Sequence, residues 1–265
     1  MYTFGMKPEN LLLQERHALI LARLSTDGRV LAAQLAPALN VTEDTIRRDL
    51  RDLAAAGLCQ KVYGGAVRIA ASAESGTLTQ RAARQMPDKS RLAAAASTLI
   101  KPGSVVFLDA GSSNLAIAEA LPQVPLTVVT NAPLIAARLL DHPRLELILI
   151  GGRVKQGIGA SVGASALREI ELIRPDLYFI GACGVDPEAG VTAVDFEEAE
   201  FKRRVAAFSK ATAVAATAEK LGVVAPFLVL PIAQLTHLVV PARADEHLTG
   251  AYAAAGASVL RADAI

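Results

Sequence analysis

The sequence predicts a two-part α/β protein: a small helical N-terminal unit with a β-hairpin, then a larger unit built on a doubly wound, mainly parallel sheet. Helical periodicity followed by a two-glycine hairpin predicts the first unit. Short continuous apolar runs alternating with helical stretches from residue 89 onward predict the second, because strands covered on both faces are apolar throughout. Small and polar residues between them are typical of a linker. We expect units at 8–70 and 89–265, joined by a linker at 71–88.

Composition limits the class of protein. The chain has 265 residues, 52% of them hydrophobic and 20% charged, which is enough apolar surface for packed cores. Its formal net charge is only +1, so any nucleic-acid surface must be local. No charged leader and no apolar run of about 18 to 20 residues is present. The two cysteines, Cys59 and Cys183, fall in different predicted units, as in a reducing compartment. We expect a cytoplasmic protein with no membrane partner.

The N-terminal unit divides into helices and a hairpin. The predicted elements are a helix over 11–24 ended by Gly28, a helix over 31–39, a turn at Asn40 and Val41, a helix over 42–56 stopped by Gly57, and strands at 58–63 and 66–69 around Gly64 and Gly65. A short helix, a tight turn, a capped helix and a hairpin in this order indicate a winged helix-turn-helix.

The third helix carries the most information. Thr42 is a favourable N-cap, and the acids Glu43 and Asp44 suit the first turn. One apolar stripe faces a core, formed by Ile46, Leu50, Leu53 and Gly57. Five basic side chains lie between residues 45 and 68 against two acids, a local balance of +3 that favours contact with phosphates.

Docking geometry assigns roles on this helix and hairpin. Residues near the start of a recognition helix reach base edges, which makes Thr42, Glu43, Thr45 and Arg47 the candidate readers. Phosphate contacts are expected from Arg48, Arg51, Lys61 and Tyr63. The alternative is an amphipathic helix with a solvated basic face, which the order of the surrounding elements disfavours.

Polar residues follow several strands of the predicted parallel sheet. After 105–108 come Gly111, Ser112, Ser113 and Asn114, which open a helix and can bind an anion, phosphate above all. The alternative is a capped strand-to-helix turn. Thr130 and Asn131 end the next strand, and Gly151-Gly152-Arg153 the one after, where Arg153 can pair with a phosphate. A further loop runs from Phe179 to Asp186. Because parallel strands bind ligands at their carboxyl ends, these loops predict a pocket.

Two sets of charged residues in the C-terminal unit can be explained without a ligand site when each is considered alone. Glu198 and Lys202 are spaced i, i+4 on a helix, as in a surface salt bridge. Lys220 follows the strand 213–216 and can be a solvated loop lysine.

The N-terminal motifs resemble a known family. The stretch Val41-Thr-Glu-Asp-Thr-Ile-Arg-Arg-Asp-Leu50, then Leu53, Gly57-Leu58 and Lys61-Val-Tyr-Gly-Gly-Ala66, is similar to the signature of the DeoR family of sugar-metabolism repressors. That family usually has His before the two glycines, where this chain has Tyr63. Either side chain can donate a hydrogen bond to a phosphate.

The C-terminal motifs resemble the effector domain of the same family, which is related to sugar-phosphate isomerases such as ribose-5-phosphate isomerase. The motifs, in order, are Asp-Ala-Gly-Ser-Ser, Thr-Asn, Gly-Gly-Arg, Gly-Ala-Cys-Gly-Val-Asp, Glu-Ala-x-x-Lys-Arg and Lys-x-Gly. The resemblance implies a sugar-phosphate isomerase-like fold and a pocket that includes Asp109, Ser112, Ser113, Thr130, Asn131, Gly152, Arg153, Asp186, Glu198, Lys202 and Lys220. The family usually has Asp three residues before that lysine; this chain has Thr217, which leaves the partner of Lys220 open.

The resemblance implies a repressor that binds a double-stranded DNA operator as a homo-oligomer, at least a dimer, and responds to a phosphorylated sugar effector. One alternative is a sugar-phosphate isomerase fused to a DNA-binding module, with Asp109, Asp186 or Glu198 as base. Another is a C-terminal unit that only oligomerises. No enzyme activity and no cofactor are expected. The histidines lie in no metal-ligand spacing, so no metal is expected either. Cys183 is interpreted as a packed small residue.

Overall fold

The computed structural model describes residues 12–56, 58–62, 64–69, 77–84 and 86–262. They form two compact units. The first holds the residues up to Ile69 together with Gly222–Val224, and the second holds the remainder. Across the described residues, no helix is both long enough and apolar enough to span a bilayer.

The first unit is a winged helix-turn-helix. Its elements are α1 (Leu13–Asp27), β1 (Arg29–Leu31), α2 (Ala32–Ala38), α3 (Glu43–Ala55), β2 (Gln60–Val62) and β3 (Gly65–Ile69). Strand β3 pairs antiparallel with both β1 and β2, and its end pairs parallel with the short strand β13 (Val223–Val224). The predicted order of helices, turn and hairpin is confirmed.

The core of this unit lies where the helical stripe predicted it. Ile46, Leu50 and Leu53 of α3 are buried against Ile20 and Leu24 of α1 in one apolar cluster. Gly57, the fourth member of the predicted stripe, lies outside the described residues. The stripe therefore fixes which face of α3 is turned away from solvent.

Steric constraints explain why glycine occupies both positions of the hairpin turn. Gly64 has φ +76°, the left-handed conformation that side chains disfavour. Gly65 has an ordinary φ, but a Cβ there would lie 2.0 Å from the carbonyl oxygen of Val30. The second glycine therefore allows β3 to approach β1.

The second unit is built on a seven-stranded sheet of order β16-β15-β12-β9-β4-β5-β6, in which every pairing is parallel. Its strands are β4 (Val105–Leu108), β5 (Leu126–Thr130), β6 (Leu145–Leu149), β9 (Leu177–Phe179), β12 (Thr212–Ala215), β15 (His237–Val240) and β16 (Ser258–Arg261). Its helices are α4 (Leu78–Ala83), α5 (Met86–Ser97), α6 (Ser112–Glu119), α7 (Pro133–Leu139), α8 (Ala164–Ile170), α9 (Phe196–Phe208) and α10 (Glu246–Ala254).

Helices cover both faces of the sheet, as the continuous apolar strands predicted. Along β4, Val106 and Leu108 join the large apolar cluster that contains Leu92 of α5. Phe107 points the opposite way and packs edge-on against Tyr178 and beside Phe201 of α9, with ring centroids 5.2 and 6.1 Å apart. Burial on both faces explains why β4, a central strand, contains only apolar residues.

The strand order reverses at β4. From there the chain builds outward through β5 and β6 on one side and through β9, β12, β15 and β16 on the other. In doubly wound sheets, the crevice at the carboxyl ends of the two strands beside such a reversal is the usual ligand site. Here those strands are β4 and β9.

Smaller elements were not predicted from the sequence. Residues 77–84 and 86–88 fell in the expected linker, yet they form α4 and the start of α5, because Thr77 and Gln80 make a capping box. An antiparallel sheet is formed by β10 (Gly184–Asp186) and β11 (Gly190–Ala193), which follow β9, together with β14 (Phe227–Leu230), which follows β12. A small hairpin joins β7 (Val154–Lys155) to β8 (Ala160–Ser161). Strands this short give too little alternation to recognise.

Candidate functional site

The predicted base-reading residues lie at the start of α3. The Thr42 side chain caps the helix by accepting from the backbone N–H of Thr45 at 3.2 Å, and the two hydroxyls are 2.8 Å apart. Glu43 Oε1 accepts from Arg47 Nη2 at 2.6 Å. These four residues therefore form one polar surface on the first turn of the helix.

The phosphate-contact candidates lie farther along the same exposed side. Arg48 pairs loosely with Asp44, with 3.6 Å between Nη2 and Oδ2, and both side chains are more than two-thirds exposed. Arg51 on α3 and Lys61 on β2 are exposed. Tyr63 lies outside the described residues. Exposed pairs of this kind contribute little to stability, so the arginines can exchange them for DNA phosphates.

The acids of α3 are not equivalent. Asp49 is one of the two acids counted between residues 45 and 68, but it is buried and accepts from Arg16 of α1, with Nη2 to Oδ1 at 2.9 Å. That carboxylate is neutralised inside the unit. The net charge of the exposed side chains on α3 is therefore more positive than the sequence indicates.

A small cavity of about 50 Å³, partly open to solvent, lies at the carboxyl end of β4 and β9. Its lining consists of Arg81, Ala110, Gly111, Gly157, Ile158, Gly181, Ala182, Cys183, Val194, Glu198, Lys202 and Lys220. Three cations and one carboxylate face a space otherwise bounded by small and apolar groups.

Glycine allows the two strand ends to meet there. A Cβ on Gly181 would lie 2.0 Å from the carbonyl oxygen of Ala110, so no side chain fits at this position. A Cβ on Gly111 would lie 3.6 Å from the Cα of Gly181. The close approach leaves backbone groups, rather than side chains, at the floor of the cavity.

Lys202 is the centre of a buried charge cluster. Its Nζ lies 2.5 Å from Glu198 Oε1 and 3.4 Å from Asp109 Oδ2, and it also donates to the carbonyl of Gly181. Burial alone would lower the pKa of Lys202, but Asp109 and Glu198 outweigh burial and raise it. The sequence allowed a surface salt bridge here; the structure buries the pair because α9 packs on the sheet.

Asp109 is held in this cluster by several hydrogen bonds within the protein. Its carboxylate accepts from the backbone N–H groups of Ala110 and Gly181 at 2.8 and 3.0 Å, and from the Tyr178 hydroxyl at 3.2 Å. Burial, with Asp109 beside it, raises the pKa of Tyr178 well above its usual range. Both carboxylate oxygens are thus used within the protein, which suits a positioning role more than direct ligand contact.

Lys220 is also buried rather than solvated. It ends a single 3₁₀ turn at 218–220, is 8% exposed, and donates to the carbonyl of Ala182 at 2.6 Å. Thr217, which stands where the family usually has Asp, lies at the start of the same turn, with its hydroxyl 3.5 Å from Glu219 Oε1. The structure therefore brings Lys220 to the cavity with Glu198 and Lys202.

The residues after β4 and β5 mostly hold the strand ends together. Asn114 donates to the carbonyls of Asp109 and Phe179 at 2.9 Å each, and Thr130 donates to the carbonyl of Leu108 at 2.6 Å. Ser112 is buried beside them. Ser113 Oγ and Asn131 Oδ1 are buried and have no hydrogen-bond partner within the described part of the chain. A ligand or a water can satisfy these two atoms.

Of the predicted pocket residues, only Gly111, Glu198, Lys202 and Lys220 line this cavity. Asp109 and the polar residues after β4 and β5 lie behind the lining, and three further predicted residues lie elsewhere. Gly152 and Arg153 are exposed in the loop after β6, a strand that β5 separates from β4. Asp186 is buried in β10, where Oδ1 accepts from the backbone N–H groups of Glu188 and Ala189, both at 2.9 Å. Its carboxylate therefore closes the turn between β10 and β11.

Sequence reasoning missed several lining residues. Arg81 was treated as part of a linker, and Gly157 and Ile158 had no motif. Thr77 and Gln80, spaced as in a capping box, were the available signal for α4. Cys183 lines the cavity and is buried. Within the described ranges, no three His, Cys, Asp or Glu residues group as metal ligands.

A winged helix-turn-helix joined to a unit with a polar ligand cavity defines a DNA-binding transcriptional regulator that senses a small molecule. Comparison with protein families agrees: residues 16–72 match the DeoR-like helix-turn-helix domain, and residues 64–241 match the DeoR C terminal sensor domain. The chain therefore belongs to the DeoR family of transcriptional regulators.

Relatives span most of the chain. FruR of Bacillus subtilis (strain 168), described as an uncharacterized HTH-type transcriptional regulator, is 31% identical over 80% of this chain and 84% of its own length. The glycerol-3-phosphate regulon repressor of Escherichia coli (strain K12) is 31% identical over 72% and 76%. Among solved structures, ribose 5 phosphate isomerase A from Neisseria gonorrhoeae is 14% identical over 53% and 55%, with a TM-score of 0.38. The family and its relatives are regulators rather than enzymes, as expected.

Proposed function

We propose that this regulator represses genes of sugar metabolism by binding a double-stranded DNA operator as a homo-oligomer, and that a phosphorylated sugar in the cavity weakens this binding. The observation that carries the proposal is the cationic lining at the strand reversal, with Arg81, Lys202 and Lys220 around one space. A phosphate monoester carries close to two negative charges at neutral pH. Cations and backbone N–H groups at the start of α6 suit such an anion.

The same cavity also has groups that suit a sugar. The Glu198 carboxylate accepts hydrogen bonds and the Lys202 ammonium donates them, so together they can bind hydroxyls. One relative is named for the regulon of a phosphate ester, glycerol 3-phosphate, which supports this ligand class. We therefore assign effector binding to the cavity residues, with Asp109 and the strand-end residues Ser112, Ser113, Asn114, Thr130 and Asn131 supporting its walls. Gly152, Arg153 and Asp186 lie outside the cavity lining and stay only as lower-ranked candidates for effector binding.

On the DNA side, the proposal gives base contacts to the first turn of α3 and phosphate contacts to Arg48, Arg51, Lys61 and Tyr63. Helix-turn-helix proteins commonly bind two half-sites as dimers, which supports a homo-oligomer. For control by a ligand, the effector must bind the DNA-competent and DNA-incompetent states with different affinity.

Thermal unfolding of the purified protein against a panel of sugar phosphates and their unphosphorylated parents tests the proposal. A ligand at about a hundred times its Kd stabilises by about 2.7 kcal/mol. A shift with one phosphate and none with its parent sugar supports a phosphorylated effector. If no phosphate in the panel produces a shift, a C-terminal unit that only oligomerises becomes the better explanation.

A further inference from the structure

Part of the cavity lining comes from α4, which lies in the stretch 71–88 that the sequence predicted to be a linker. Helix α4 places Arg81 in the lining together with Lys202 and Lys220. The residue is only 6% exposed, which is unusual for arginine. A buried guanidinium needs strong acceptors around it, and an anionic ligand in the cavity can supply some of them.

The protein holds α4 firmly at both ends. At the start, the Thr77 hydroxyl accepts from the N–H of Gln80 at 3.3 Å, and the Gln80 amide accepts from the N–H of Thr77 at 2.9 Å. At the end, Lys89 Nζ donates to the carbonyls of Arg81 and Arg84, the latter at 2.7 Å. These bonds fix the backbone that carries Arg81.

Helix α4 also packs on the turn between β7 and β8. A Cβ on Gly159 would lie 3.3 Å from the Leu78 Cβ, so the two segments are in close contact. Gly157 and Ile158 of this turn line the cavity. Helix α4 and this turn are therefore in contact, and both border the cavity.

We infer that Arg81 binds the phosphate group of the effector, which makes α4 part of the ligand site; this inference rests on the proposed function. The planar guanidinium can donate two parallel hydrogen bonds to a phosphate, whereas a lysine ammonium acts as a point charge. Lys202 is already held by Glu198 and Asp109, so it suits the polar end of the sugar. Arg81 supplies the geometry that selects a phosphate.

The test compares Arg81→Gln and Arg81→Lys with Arg84→Gln, which changes an exposed arginine three residues along. Affinity is measured by calorimetry for inorganic phosphate, for the sugar phosphate that most stabilises the wild type, and for its parent sugar. We expect Arg81→Gln to weaken phosphate-ester binding about 10- to 100-fold, because losing a hydrogen bond to a charged group lowers affinity by about that factor. Arg81→Lys should be intermediate, and Arg84→Gln should resemble the wild type.

Gln80→Ala separates the loss of the cation from loosening of α4, because it breaks the capping box without changing the cavity charge. Only Arg81→Gln should reduce the salt dependence of ligand affinity, and operator binding without ligand should persist in every variant. Equal phosphate affinity in Arg81→Gln and wild type overturns the inference and leaves the proposed function standing. A wild type that binds neither inorganic phosphate nor any sugar phosphate overturns both.

Discussion

Arg16 on α1 donates to Asp49 on α3 with Nη2 and Oδ1 2.9 Å apart, so a buried ion pair joins the first helix to the proposed recognition helix. The side chains are only 11% and 2% exposed. Hydrogen bonding to Asp49 raises the pKa of Arg16, which keeps the pair charged. The pair fixes the orientation of α3 in a unit whose apolar core is small.

Arg16→Ala should destabilise the protein by about 3 to 5 kcal/mol, because it leaves the Asp49 carboxylate buried without its main partner. Urea unfolding followed by circular dichroism measures the change. Arg23→Ala, which removes an exposed arginine from the same helix, is the control and should have little effect. If the two variants unfold alike, the pair does not hold the unit together.

Arg48→Ala should weaken binding about equally to operator and to random DNA, and reduce the salt slope by about one, as expected for a lost phosphate contact. Arg47→Ala should instead lose specificity by about 1 to 3 kcal/mol, since a base contact discriminates sequence. Fluorescence anisotropy across a salt series distinguishes the two. A collapse of specificity in Arg48→Ala would reverse the assigned roles.

Lys220→Ala should leave DNA binding intact and blunt the response to the effector, because the ammonium lies in the cavity wall. The measurement is operator release as sugar phosphate is added. Lys210→Ala is a suitable control, since Lys210 is exposed and pairs with Asp176 away from this cavity. An unchanged ligand response would remove Lys220 from the site.

Asp195→Ala should lower stability by about 1 kcal/mol and weaken effector binding, because Asp195 caps α9, the helix that carries Glu198 and Lys202. Burial acts to raise the pKa of Asp195, but Lys155 and the backbone N–H of Glu198 outweigh it and lower that pKa. The stabilising contribution is therefore present above the ordinary value of 3.8 and is lost as the pH falls through the lower folded value.

Asp195→Asn is the companion variant, since asparagine still caps the helix but lacks the charge. Its difference from wild type in unfolding free energy should be visible at neutral pH and narrow in acid. A difference that does not depend on pH would mean that the charge of Asp195 contributes nothing to stability.

Much of the fold was predictable from local pattern. The 3.6-residue stripe of α3, the cap at Thr42 and the two glycines at 64 and 65 each express a preference of the nearby backbone. Continuous apolar runs located the main strands, because strands covered on both faces leave no polar position. Short elements such as α4 and β10 escaped, since a few residues give too little periodicity to separate them from loops.

By itself, the sequence determined that Glu198 and Lys202 share a helical face and that polar loops follow the parallel strands. Only the tertiary structure decided that this pair is buried, that Lys220 and Arg81 reach the same cavity, and that Asp186 does not. The physical reason is that helix and strand preferences are set by neighbours along the chain. Burial and charge pairing depend instead on the strand order, which brings the ends of β4 and β9 together across about seventy residues of sequence.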